Sequence, residues 1–157
     1  MSKDILFSML EGAAERVMKQ FTLTEREVSA MAEGVSYEEF ERRIAYYMVY
    51  RERARTPEVL DLLIAGWTTP ESDWHWFWVS FADGQWLGCS FVRALNFPHA
   101  HYVTKARGCN PGGEAQFIVC PPEIGAPPAE YQHVLIRDKD ELNKASRAWT
   151  GDEAAQL

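Results

Sequence analysis

Up to Ala65 the apolar residues return every three or four positions, and beyond Trp74 they bunch into aromatic runs, so the chain divides near Gly66 into a helical half and a strand-bearing half. Ile5, Leu6, Met9, Leu10, Ala13 and Val17 make the first stripe, with Asp4, Glu11 and Glu15 off it, which predicts an amphipathic helix over about 3–20. Two helix starts follow, each marked by a hydroxyl with a glutamate three residues on: Thr24 with Glu27, and Ser36 with Glu39. In such a box the hydroxyl accepts the N3 amide while the carboxylate accepts the amide of the cap residue. Leu23/Val28 and Val35/Phe40 stand at the spacing of a hydrophobic staple. Gly34 supplies a left-handed terminus, giving helices over 25–33 and 37–54. Thr56-Pro57 opens a fourth helix, which Gly66 closes after Ala65.

The second half starts with two aromatic and β-branched runs, Trp74 to Ala82 and Gln85 to Val92, separated by Asp83-Gly84. Asp-Gly tolerates the positive φ angles of a two-residue type I′ turn, so the pair predicts a hairpin. The first run has large side chains on both faces, with Trp76 and Trp78 buried on one of them, and is therefore placed at the centre of a sheet. Pro98 opens a short helix that Gly108 ends, and Glu114 to Cys120 is a third strand, antiparallel to the first and reached from the second by a right-handed crossover. The proline-rich stretch 121–128 holds no ladder and crosses the surface. Asp138 and Glu141 form a third capping pattern, opening a helix over 139–149. The expected fold is α+β: N-terminal helices, a three-stranded antiparallel sheet (β-β-α-β) of order 2-1-3, and a C-terminal helix. Its parts are a helical region, 1–66, a ββαβ domain with its helix, 67–150, and a frayed tail, 151–157.

The net charge changes what such a domain can do. Sixteen Lys and Arg against 23 Asp and Glu leave −7, which opposes nonspecific attraction to a phosphate backbone. No apolar run has the length of a membrane span, and Asp4 interrupts the apolar N-terminus, unlike a signal peptide. Cys89, Cys109 and Cys120 are odd in number and contain no C-x-x-C, the pattern of packed, reduced thiols in a cytoplasmic protein.

Candidate chemistry is concentrated on the helix 37–54. Residues 42–55 hold five arginines (42, 43, 51, 53 and 55) and one glutamate, Glu52. Phe40, Ile44, Tyr47 and Met48 form the buried stripe, which leaves Arg42, Arg43, Tyr46, Tyr50 and Arg53 on the flanks. Tyr and Arg are enriched at interface hot spots, so these five are the candidate partner-binding residues. Asn110, Gly112, Gly113 and Glu114 form a candidate ligand loop, whose glycines permit a nest of N–H groups for an anion; the plain alternative is a tight helix-to-strand connection. His75, His99, His101, Cys109 and Cys120 have no zinc spacing, so no metal site is expected. Gly88-Cys89-Ser90 lies in a strand rather than in a nucleophile elbow, and the acidic pairs Glu38/Glu39 and Asp138/Asp140 are helix-start residues. Neither an enzyme nor a cofactor is expected.

Two resemblances bear on function. Leu23-Thr24-Glu25-Arg26-Glu27 and Ala32-Glu33-Gly34-Val35-Ser36 resemble the opening helix and turn of LuxR-type DNA-binding domains, which implies a small DNA-binding regulator using 23–55. The interval between the two strings is about one helical turn shorter than in that pattern. Trp78-Val79-Ser80-Phe81, the loop Gly108-Cys109-Asn110-Pro111-Gly112-Gly113-Glu114 and Val134 to Leu142 resemble small bacterial and phage proteins with no assigned activity, over about residues 76–142. That resemblance implies a cytoplasmic accessory protein that binds a host protein or protein–nucleic acid complex without catalysis, inhibiting a host defence complex. DNA, a small anion or nucleotide, and a second copy of the chain are the alternative partners. A membrane is not one of them.

Overall fold

The computed structural model describes residues 22–150, and the helix expected at 3–20 and the tail after Thr150 lie outside them. The described residues form five α-helices and a four-stranded antiparallel sheet. They fall into two compact units, one ending at Thr68 and the other beginning at Thr69. No helix among them is long and apolar enough to cross a membrane.

The first unit holds α1 (Glu25–Ala32), α2 (Tyr37–Arg53) and α3 (Pro57–Thr68). Thr24 makes the full capping box: its Oγ1 accepts from the Glu27 amide at 3.2 Å, and Glu27 Oε1 accepts from the Thr24 amide at 2.9 Å. Ser36 makes only half of one. Its Oγ accepts from the Glu39 amide at 3.2 Å, but the Glu39 carboxylate turns along the helix to Arg42 and Arg43. Gly34 turns the chain after α1 at φ +73, as the pattern anticipates. The expected stop at Gly66 does not occur, because α3 continues through a buried Gly66 to Thr68. Trp67 is buried there with its ring 6.2 Å from that of Tyr47. Burying an indole outweighs the ~1 kcal/mol penalty of a helical glycine. Leu23, Val28, Met31, Phe40, Tyr47, Leu63 and Trp67 are the core of this unit.

The second unit is built on β1 (His75–Ala82), β2 (Trp86–Ala94), β3 (Glu114–Val119) and β4 (Leu135–Ile136), in the order β3-β1-β2-β4. The centre is as expected: β1 pairs antiparallel with both β2 and β3. The fourth strand corrects the count of three. It pairs two residues, Leu135 and Ile136, with Ser90 and Cys89, and a two-residue strand is too short to show alternation in a sequence. The hairpin connection is also longer than a two-residue turn. Ala82 pairs with Trp86 across Asp83-Gly84-Gln85, only Gly84 has positive φ (+71), and the register shifts between Phe81 and Ala82. This is the three-residue, bulge-associated solution in place of type I′.

The helix α4 (Phe97–Ala106) crosses from β2 to β3, with Asn96 Oδ1 capping the His99 amide at 3.0 Å and Gly108 at φ +69 ending it. Phe77, Val79 and Phe81 point to the face that carries α4 and are fully buried. Trp76 and Trp78, expected deep in the core, are on the opposite face and only half-buried. That face is covered by α5 (Lys139–Thr150), whose Trp149 ring lies 4.8 Å from Phe91, and by Ile136, Cys89 and Cys120. Asp138 caps α5 through the Asp140 amide at 2.7 Å, and Glu141 pairs with Lys144 instead of closing a box. The 121–128 stretch is largely exposed, but Pro127 is fully buried, and the Trp149 indole donates to the Gly125 carbonyl at 2.9 Å.

Candidate functional site

The five residues singled out on α2 separate into two groups. Arg43 faces inward, with its side chain 13 % exposed. It donates to Glu39 Oε1 and to the Ala30 carbonyl, both at 3.0 Å, and lies 5.5 Å above the Trp67 ring. A guanidinium held by a carboxylate, a carbonyl and an indole at once is a clamp joining α1, α2 and α3. Beside it the Tyr47 hydroxyl donates to the Glu27 carboxylate. Burial raises the Glu27 pKa, but the bonds from Tyr47 and Thr24 and the nearby Arg51 outweigh it and hold the carboxyl below its ordinary value.

The other four lie together. Arg42, Tyr46, Tyr50 and Arg53 occur at i, i+4, i+8 and i+11, one stripe of a 3.6-residue helix, and Val49 completes it at i+7. The rings of Tyr46 and Tyr50 stack at 5.5 Å with an interplanar angle of 16°, half-buried, and Val49 is 48 % exposed. Arg42 and Arg53 bound the stripe at the surface, Arg42 paired with Glu39. Val49 was missed in the sequence because it stands in the unbroken aromatic and apolar run Tyr46 to Tyr50, where no polar neighbour marks the outward face.

The Asn110–Glu114 loop is occupied by its own chain. Asn110 Nδ2 donates to Thr104 Oγ1 at 3.0 Å, and Asn110 Oδ1 accepts from the Gly112 amide at 2.8 Å, which removes one N–H group from any nest. At Gly113, φ +76, a Cβ would stand 2.5 Å from the Ala82 carbonyl oxygen. Only glycine allows this approach, and Glu114 then enters β3 opposite Ala82. The geometry is that of the tight connection.

The fold also assembles a groove that no local string announces. Trp74, Trp76, Arg93, Cys120, Pro122 and Gln132 line a cleft of ≈ 490 Å³. Gln132 Nε2 is committed to the Pro127 carbonyl at 2.8 Å, and Arg93 stands 3.5 Å from Glu71. At its edge His133 Nε2 accepts from the Arg93 amide at 3.2 Å, and burial together with Arg107 pushes the imidazole down to about 4, so it is neutral near pH 7. His99 is buried in α4 and its Nδ1 accepts from the Leu95 amide at 3.0 Å. The three cysteines are buried free thiols; burial raises Cys89 and Cys109 and pushes Cys120 up to about 11. No group of three His, Cys, Asp or Glu among the described residues is placed to hold a metal ion. No family model, curated protein or solved structure matches the chain.

Proposed function

We propose that this protein is a non-catalytic binder of another protein, and that the outward stripe of α2 is its contact surface. The observation that carries the reading is the stacked Tyr46–Tyr50 pair beside exposed Val49, bounded by Arg42 and Arg53. Two aromatic rings held on a rigid helix lose little side-chain entropy on binding, and arginines at the rim steer an acidic partner surface. The partner we propose is a host protein, the expectation carried by the resemblance read from residues 76–142, and the bound chain blocks its activity.

Helix-turn-helix geometry is the competing reading of the same elements, since α1 and α2 are joined by a short turn at Gly34. In that motif the first residues of the second helix enter the groove. Here those positions carry the exposed carboxylates Glu38 and Glu41, which repel phosphates, and Glu39, which is taken up by Arg42 and Arg43. Salt dependence and mutation discriminate the readings. In quantitative capture from nuclease-treated lysate of the source cells, protein recognition predicts that Tyr46→Ala and Tyr50→Ala each weaken binding about 30-fold, equivalent to ~2 kcal/mol, with shallow salt dependence. Nucleic-acid recognition predicts loss of capture on nuclease treatment and a steep salt slope that Arg42→Ala or Arg53→Ala reduces.

A further inference from the structure

The two edges of the sheet differ. The β4 edge is two residues long, one of the ways in which proteins blunt an edge. The β3 edge runs for six residues, Glu-Ala-Gln-Phe-Ile-Val, with no lysine, arginine or proline, and Ile118 and Val119 are 63 % and 45 % exposed on it. The ladder fixes which backbone groups are left open. The Cys120 amide donates to the Trp76 carbonyl at 2.9 Å, and β1 pairs with β3 residue by residue from Phe77 and Val119 onward. Bonding to β1 therefore falls on residues 114, 116 and 118, and the N–H and C=O groups of Ala115, Phe117 and Val119 point outward. Phe97, 50 % exposed, stacks on Phe117 at 5.8 Å and extends the apolar surface beside the edge.

We infer that β3 pairs antiparallel with β3 of a second copy of this chain, about a two-fold axis through Phe117. This register sets Phe117 against Phe117, Ala115 against Val119 and Gln116 against Ile118, so every open backbone group of the strand meets a partner. The one charged residue of the strand, Glu114, then faces Cys120 of the other copy and never another Glu114. An edge without a cation offers nothing to an acidic strand, whereas it is complementary to itself. The pairing is isologous and closes, because the short β4 edge cannot repeat it.

Proline separates this interface from the fold. At Val119, whose N–H points outward, proline removes a donor that the monomer does not use; at Gln116, whose N–H is bonded to β1, it breaks the sheet. In sedimentation-equilibrium measurements over a concentration series, the wild-type mass should rise from 18.0 kDa to twice that value. Val119→Pro should remain at one chain with unchanged circular dichroism and melting, and Gln116→Pro should melt lower. A wild type that stays at one chain throughout, or a dimer that Val119→Pro preserves, overturns the inference. Binding of an unrelated extended peptide at β3 by a monomeric wild type also overturns it.

Discussion

The helical unit and the sheet unit bury polar groups in opposite ways. Around α2 the buried polar chemistry is charged and paired: Glu27 with Tyr47, and Arg43 with Glu39 under the Trp67 ring. In the sheet unit it is neutral: His99 and His133 accept backbone N–H groups, and three thiols are held protonated by burial. A charge drawn away from water needs a partner, which the helices supply to one another, whereas a group that stays neutral is buried at lower cost. The helical unit thereby uses one tyrosine and one arginine of α2 internally and presents the rest of that chemistry outside.

The largest effects belong to the sheet. Phe77→Ala should cost about 3–5 kcal/mol, and more than Trp78→Ala, because Phe77 is fully buried and Trp78 is not. Chemical denaturation of both variants checks this, and equal losses would mean that the two faces are equally packed. In the helical unit Arg43→Ala and Tyr47→Phe should each cost about 1.5–3 kcal/mol, the range for bonds to charged groups, although both positions lie on the helix that carries the binding stripe.

Acid sharpens the contrast. His133 is lowered from its ordinary 6.5 to about 4, so between those values the unfolded chain binds the proton first and stability falls as pH drops. His133→Asn keeps the positive-φ backbone (φ 56) and should flatten the loss in that window. Glu27 has a lowered folded pKa, so its contribution is present above the ordinary carboxylate value and is lost as pH falls through the folded one. Tyr47→Phe removes a bond that lowers Glu27 and should shrink this second, more acidic phase. Stability measured against pH for the two variants separates the phases, and a single phase unaffected by either substitution would contradict the assignment.

How much of this was legible depended on how local the cause was. The Thr24 box, the Gly34 turn, the helix from Pro98 that Gly108 ends and the central position of β1 follow from residues close in sequence or from alternation, whereas the Asn96 cap and the start at Phe97 emerge only in the structure. What could not be read depends on distant partners. Glu39 leaves its cap for two arginines, α3 passes Gly66 because Trp67 finds Tyr47, and β4 exists because β2 offers Cys89 and Ser90. On α2 the residue types were visible, but Arg43 could be told from Arg42 only once α1 and α3 were in place. The Trp74–Arg93–Gln132 groove gathers residues from four separate stretches and leaves no string to find.

The outward stripe should matter less to stability than either core: Tyr46→Ala and Tyr50→Ala are each expected to cost about 1 kcal/mol, the centre of the distribution for point variants. The decisive measurement is the affinity of the captured protein, once purified, for the wild type and for the Tyr46→Ala/Tyr50→Ala double variant, with Arg43→Lys as the inward control, alongside the melting temperature of each. The account predicts that the double variant loses at least about 30-fold in affinity with its fold intact, while Arg43→Lys shifts melting and leaves affinity in place. Unchanged affinity in a folded double variant would show that α2 is scaffold alone, and would contradict the proposed binding surface.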